Sequence, residues 1–346
     1  MSGLIDKKDS ELPFVSVCTP TFNRRPFIPY TIKCMEQQDY PKEKIEWVII
    51  DDGTDLIEDL VIDIPYVKYF KLTEKKSLGE KRNIMHQKSK GDVIVYVDDD
   101  DYYPPCRISH AVETLIKNPQ ALCCGSSEMH IYFKHINKLY QFGPYGPNHA
   151  TAATFAFWRR LLDDTQYEDY VCVGEEKTFL KNYTVPFAQL DTLKTILVFS
   201  HVHNSFDKKT LLDNPNQFVK ESKYDVSDFV KEPEILNFFM KDIDMVLDQY
   251  KPGDPKNKKD VTAYMSLVKK TREEITNHMV KREQKIQQEA NQHIINVRAQ
   301  FENRIAQLTH ENITLKDKIE YLEKKISGLI TETIKLKKSS NIKSVS

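Results

Sequence analysis

Short apolar runs alternate with amphipathic stretches over the first hundred residues. Residues 14–19 (FVSVCT), 45–50 (IEWVII), 66–71 and 93–97 (VIVYV) are β-rich and of strand length. The run at 93–97, of alternating Val, Ile and Tyr, is expected to be a buried strand of a parallel sheet. Residues 26–38 carry helical spacing, with Pro26 near the start and Ile28, Ile32 and Met35 on one side. Residues 77–88 predict a second helix, in which Ser77 and Glu80 have the spacing of a capping box. This alternation predicts an α/β fold with a doubly wound, mostly parallel sheet. A helix over 106–117 follows. Residues 121–160 mix β-like runs such as MHIYF with Gly, Pro and aromatics, a composition suited to substrate-facing loops. Glu175-Glu176 opens a helix (KTFLKN), and the strands TVPFAQL and TILVFS come next. The compact domain is expected to span 1–210. A helical extension and linker are expected over 211–260, with an amphipathic helix at 233–250 and the Pro/Gly-containing KPGDPKNKKD at 251–260.

The C-terminal pattern is different. Phe301, Leu308, Leu315, Leu322, Leu329 and Leu336 recur every seven residues, with Ile305, Asn312, Ile319, Ile326 and Thr333 at the complementary positions. Ile at a with Leu at d favours two parallel strands, and a polar Asn312 at a fixes their register. Glu311–Lys316, Lys318–Glu323 and Glu332–Lys337 are opposite in sign across such a pair. A coiled-coil helix is expected over 261–338, dimerising through 294–336, with a disordered tail at 339–346.

Charge changes the picture little. The chain has 50 basic and 51 acidic residues, so bulk electrostatics call for no nucleic-acid partner. Residues 264–346 hold 16 Lys/Arg against 10 Asp/Glu, a basic tail on an otherwise acidic chain. Six scattered cysteines match neither a zinc site nor a disulfide framework. The N-terminus has no signal-peptide core, and no window has the length of a membrane span. A soluble, cytoplasmic protein of a reducing compartment is expected. Abundant Lys, Ile, Asn and Tyr point to an AT-rich source, viral or microbial.

The chemistry gathers at strand ends. The strand at 93–97 runs into four carboxylates, Asp98, Asp99, Asp100 and Asp101, whose mutual repulsion calls for solvent or a cation. Hard oxygen ligands suit Mg²⁺ or Mn²⁺, which commonly holds a diphosphate. Thr19, Pro20, Asn23 and Arg24 follow the first strand, and Asp51-Asp52 the second. In a parallel sheet these ends share one edge, where open α/β sheets bind ligands. Arg82, in a Gly79-x-x-Arg82-Asn83 segment entering a helix, is placed to meet phosphate charge.

Taken together, these segments resemble an inverting family 2 glycosyltransferase of GT-A fold. The resemblance covers about residues 13–205, through VSVCTPTFNR, VIIDDGT, SLGEKRNIMHQKSKGDVIVYVDDDDYYPP, GEEKTFL and HVHNS. It implies that Thr19, Asp51 and Asp52 contact a nucleotide, most often uridine, and that Arg82 lies near the diphosphate of a UDP-sugar. The family's D-x-D-D falls on Asp98, Asp100 and Asp101. Asp98 would face the ribose and Asp100 the metal, with Asp99 in the variable place. The acidic pair before a helix matches Glu175-Glu176, with Glu176 as general base; Glu stands there in place of the usual Asp. A histidine near the last strand completes the metal shell, and His201 fits its spacing better than His203.

The implied mechanism is one displacement. A divalent ion offsets charge on the leaving diphosphate while a carboxylate takes the proton of an acceptor hydroxyl. Trp158, Phe155, Phe157 and Tyr145 offer either an acceptor platform or core packing. The acceptor is expected to be a glycan or a protein. The competing reading is a coiled-coil scaffold that binds nucleotide sugar or carbohydrate without turnover. A nucleotidyltransferase would need a Gly-rich phosphate loop, and PTFNRRPF has no Gly.

Overall fold

The computed structural model describes residues 11–213 and 216–342. The residues up to Leu267 form one compact unit and those from Val268 onward a second.

The first unit opens with β1 (Val15–Thr21), α1 (Ile28–Glu36), β2 (Ile45–Asp51), α2 (Glu58–Val61), β3 (Val67–Lys71), α3 (Leu78–Lys88), β4 (Val93–Tyr96) and α4 (Arg107–Lys117). It continues with β5 (Cys123–Gly125), β6 (Met129–Phe133), β7 (Lys138–Phe142), β8 (Ala156–Trp158), α5 (Glu176–Phe179), β9 (Phe187–Gln189), β10 (Val198–Ser200) and β11 (Val219–Glu221). The main sheet has the order β3-β2-β1-β4-β8-β5-β9. Its first four strands are parallel, β8 runs antiparallel to both neighbours, and β5 pairs parallel with β9. This is the mixed, mostly parallel α/β sheet that the alternating pattern predicts.

Burial explains the apolar runs. All seven residues of β2 and all four of β4 are buried. Val17, Trp47, Ile49, Val93 and Val95 pack on one face of the sheet, while Cys18, Val48, Ile50, Ile94 and Tyr96 pack on the other. Period-two alternation thus feeds two cores at once. The pairing Thr21↔Asp51 and Cys18↔Tyr96 brings the carboxyl ends of β1, β2 and β4 to one edge.

A smaller sheet, β10-β6-β7-β11, carries a third core. The helices α6 (Val226–Phe229), α7 (Pro233–Asn237) and α8 (Ile243–Gln249) pack there. The single helix expected over 233–250 is interrupted by a π-helical turn at Phe238–Asp242. The turn lets both Phe238 and Phe239 face inward, where they stack on Tyr30 and Phe199 at 3.8 and 3.9 Å between ring centroids. Residues 211–260 therefore belong to the compact unit. The stretch read as a linker forms two short 3₁₀ turns, Lys251–Gly253 and Pro255–Asn257.

From Val268 onward, the last helix, α9 (Lys259–Ile342), makes up the described part of the second unit. Of the tail expected at 339–346, residues 343–346 lie outside the described residues, as does the N-terminal stretch 1–10. The six cysteines are free, and among the described residues no helix is long and apolar enough to cross a membrane.

Candidate active site

The carboxyl edge of the main sheet opens into a cavity of about 440 Å³ lined by the acid run, Arg24, Arg82 and the Glu175-Glu176 pair. Local structure aims each group. Ser77 caps α3 by accepting from the Glu80 amide at 3.1 Å and donates to the Asp169 carbonyl. Glu80 turns to Lys76 at 3.0 Å, so only half of the expected box is present. Gly79 donates its N–H to the Val171 carbonyl at 2.9 Å, and a Cβ there would strike the Glu168 carbonyl. The loop before α5 can therefore lie on the start of α3 and carry Glu175 to Arg82.

Arg82 is 2 % exposed and sits between Glu175, at 3.0 Å, and Asp98, at 3.8 Å, with its guanidinium 4.2 Å above the Tyr96 ring. Burial opposes its charge, but the two carboxylates outweigh that and hold it firmly protonated. Arg24 reaches Asp99 at 3.6 Å and Asp100 at 3.2 Å and donates to the His203 carbonyl at 2.8 Å. His201 Nε2 lies 3.3 Å from Asp100. Burial pushes the imidazole down to about 3, so it is neutral. Burial would raise the Asp100 carboxyl, yet Arg24 and His201 hold it well below the usual range. Its neighbours behave oppositely. Burial raises Asp98, and burial with the Asp100 charge takes Asp99 to about 7 and Asp101 well above normal.

The structure brings Asp98, Asp99, Asp100, Arg24, Arg82, His201, Glu175 and Glu176 together at this edge, with Pro20 also lining the cavity. His203 does not reach the acids. Its carbonyl binds Arg24 and its ring packs against Gly253. Four expected nucleotide contacts are spent elsewhere. Thr19 is fully buried, donates to the Val97 carbonyl at 2.6 Å and accepts from Trp47 Nε1 at 2.8 Å. Asp51 accepts from the Gly53 and Ile57 amides and the Tyr69 hydroxyl, which builds its own turn. Asp52 pairs with Lys81 at 2.8 Å and accepts from the Lys76 amide. Asn23, at φ +52°, accepts from the Thr54 and Asp55 amides and donates to the Pro252 carbonyl.

Glu175 is committed to Arg82, whereas Glu176 is half-buried and is held, among the described residues, only by a backbone amide of its own turn. Burial and the neighbouring Glu175 raise Glu176 to about 7. Phe155 and Phe157 are fully buried core residues, and Trp158 packs on the first core, so none of the three forms a platform. Tyr145 remains exposed at 42 %.

Two cavity lysines escape a reading of the sequence. Lys258 lies in the stretch whose composition suggests a linker, and Lys208 in the 3₁₀ turn Lys208–Leu212. Neither sits in a motif, and only the packing of distant segments brings them to the acids.

Among the described residues, no three His, Cys, Asp or Glu side chains form a ready-made metal cage. The donor set nonetheless fits a hard divalent ion. Asp98 Oδ1 and Asp99 Oδ2 are buried without a hydrogen-bond partner, and Asp100 is ionised. Mg²⁺ and Mn²⁺ typically take one or two carboxylates and complete their shell with substrate phosphate and water.

A mostly parallel α/β sheet with a charged cavity at its carboxyl edge defines a ligand-binding enzyme fold of the doubly wound kind. Residues 16–177 match the model of glycosyl transferase family 2. The chain's relatives include the GalNAc(5)-diNAcBac-PP-undecaprenol β-1,3-glucosyltransferase of Campylobacter jejuni, 31 % identical over 31 % of this chain and 34 % of that one. The poly(ribitol-phosphate) β-N-acetylglucosaminyltransferase TarS of Staphylococcus aureus is 29 % identical over 25 % of this chain and 16 % of its own length. The crystal structure of S. aureus TarS with UDP-GlcNAc superposes with a TM-score of 0.45 at 19 % identity, covering 54 % of this chain and 58 % of that chain. The chain spans at most about half the length of the curated relatives it matches.

Proposed function

We propose that this protein transfers a sugar from a nucleoside-diphosphate donor, a UDP-sugar, to an acceptor hydroxyl with inversion at the anomeric carbon. One observation carries the reading. A single cavity holds buried carboxylate oxygens without partners, cations that suit a diphosphate, and a carboxylate poised near neutrality. Asp100 and His201 would hold Mg²⁺ or Mn²⁺, which supplies positive charge to offset the leaving diphosphate. Arg24 and Arg82 add fixed positive charge beside the acids. Glu176 takes the acceptor hydroxyl proton as the oxygen bonds to the anomeric carbon and the bond to the diphosphate breaks. A general base works best with a pKa near the operating pH, and about 7 meets that condition. A single displacement inverts the centre.

A glycan acceptor is favoured by a row of rings. Phe218–Tyr145, Tyr145–His149 and His149–Tyr183 lie 5.2, 4.9 and 5.1 Å apart between centroids. The charge of Glu176 contributes to the raised pKa of the Tyr183 phenol, so the row ends in the field of the base. Aromatic faces cover the apolar faces of sugars.

The test is a screen of nucleotide sugars for transfer and hydrolysis with Mn²⁺ and with chelator. Wild type should turn over one donor with metal. Glu176→Gln should lose about 10²- to 10⁴-fold in kcat with donor binding kept, the range for a lost general base. No turnover of any donor overturns the enzyme reading.

We also propose that α9 pairs with a second copy in parallel. Phe301, Ile305, Leu315, Ile319, Leu322, Ile326 and Leu329 are 52–66 % exposed on it. A stripe of that size in water marks an association surface. Asn312 and the complementary Glu and Lys at flanking positions select a parallel partner of the same sequence. Truncation after residue 267 should convert a dimer to a monomer in light scattering, and a dimer that survives truncation sinks the assignment.

A further inference from the structure

Lys258 stands outside the family-matching region, yet it lines the cavity beside the acid run. It is 5 % exposed and its Nζ donates to Ser205 Oγ at 2.6 Å. Among the described residues no carboxylate lies within 4 Å of it, although Asp99 and Asp100 are near enough to act on it electrostatically. Those two carboxylates already face Arg24. Burial, with Arg24 beside it, pushes the Lys258 amine well below its usual range, so an arriving anion would favour its protonated form. Lys208 is the second cavity lysine with no carboxylate within that distance, and it acts electrostatically on Asp98, Asp100 and Asp101. By contrast Lys75, Lys76 and Lys81 are paired with Asp260, Glu80 and Asp52.

The segment that delivers Lys258 is built to stay in place. Tyr250 donates to Asp55 at 2.7 Å, and the Pro252 carbonyl accepts from Asn23 at 2.9 Å. Gly253 fits where a Cβ would meet His203 Nδ1 and the Asn23 carbonyl, so only glycine is tolerated. Beyond Lys258, Asp260 pairs with Lys75 at 3.1 Å. This strap is thereby pinned to the loops after β1, β2, β3 and β10, around the mouth of the cavity.

We propose that Lys258 and Lys208 form a subsite for the diphosphate of a nucleoside-diphosphate ligand, so that the strap at 250–260 is part of the donor site. The inference rests on the donor class proposed above and adds two binding residues from outside the family-matching region. Arriving phosphate oxygens favour the protonated form of the Lys258 amine and give both lysines the anionic partner they lack, while Arg24 and Arg82 remain tied to carboxylates.

The experiment is calorimetric titration of the full chain with UDP, inorganic pyrophosphate and uridine, each in Mn²⁺. Lys258→Met should weaken UDP and pyrophosphate roughly ten- to hundred-fold, the loss expected for a charge-assisted contact. It should leave uridine binding and the melting temperature unchanged, and Lys258→Arg should recover part of the loss. Lys208→Met, on a less buried side chain, should give the same selective loss if Lys258→Met does not fold. Unchanged UDP affinity in the folded variants overturns the subsite, and so does an equal loss of UDP and uridine. Wild type that binds no UDP and no pyrophosphate overturns the donor reading itself.

Discussion

Two acidic runs end strands of the same sheet, and their fates differ. Asp51-Asp52 follows β2 and Asp98–Asp101 follows β4, separated by β1. Every carboxylate oxygen of the first run is engaged: Asp51 holds its own turn and a tyrosine, and Asp52 holds Lys81 and the Lys76 amide. The second run keeps buried oxygens on Asp98 and Asp99 with no hydrogen-bond partner. Both runs read as ligand contacts by position alone. Satisfied carboxylates are structure, whereas crowded and unsatisfied ones store a demand for positive charge that a ligand or ion can meet.

Substitution should separate the two runs most sharply. Asp52→Ala leaves Lys81 buried without its partner, which costs about 3–5 kcal/mol. That should appear as a melting temperature lower by roughly 10 °C at this size. Asp100→Ala removes one member of a repelling cluster, so folding should survive. Turnover should instead fall by about 10²- to 10³-fold, as when an electrostatic stabiliser of developing charge is lost. Matching thermal and kinetic losses in both variants would erase the distinction.

How far the site is legible in the sequence follows from the same contrast. Strands buried on both faces write continuous apolar runs, so β1, β2 and β4 and the acids at their ends are visible without coordinates. The turn chemistry that consumes Asp51 is not, because Tyr69 and the Ile57 amide approach from other elements. Thr19 misleads for the same reason, since its hydroxyl points into the core toward Trp47. Phe157 lies on a short strand between β4 and β5, with Phe155 just before it, a placement that a Gly/Pro-rich context hides. Lys258 is invisible because KPGDPKNKKD has the composition of a linker, and only Asn23, Tyr250 and Ser205 reveal that it is anchored.

A subtler probe uses pH. Glu176 titrates near 7 because burial and Glu175 disfavour its charge. Its folded pKa lies above the unfolded value, so the folded state binds the extra proton between roughly pH 4.5 and 7. Its contribution to stability is therefore full at low pH and lost as pH rises through 7. Turnover requires the ionised form and moves the other way, reaching roughly a tenth of its plateau at pH 6. Between pH 6 and 8, kcat should climb while the melting temperature drifts down, and Glu176→Gln should remove its share of both trends. A kcat profile flat across that range places the base elsewhere.

The smallest effect belongs to Asp99, and it tests the comparison from within the second run. Asp99 has one oxygen 3.6 Å from Arg24 and another with no hydrogen-bond partner, and the Asp100 charge helps raise it to about 7. Asp99→Asn keeps the shape and removes a charge that is half absent at neutral pH. Arg24 then faces Asp100 alone, at 3.2 Å, and the repulsion that opposes Asp100 ionisation is relieved. Turnover should change by less than about threefold and the melting temperature should hold or rise slightly, in keeping with the small net worth of like-charge relief. A loss as large as that of Asp100→Ala would make Asp99 a ligand in its own right. The division of labour in the run would then rest on Asp99 and Asp100 together, with Arg24 as the counter-ion shared between them.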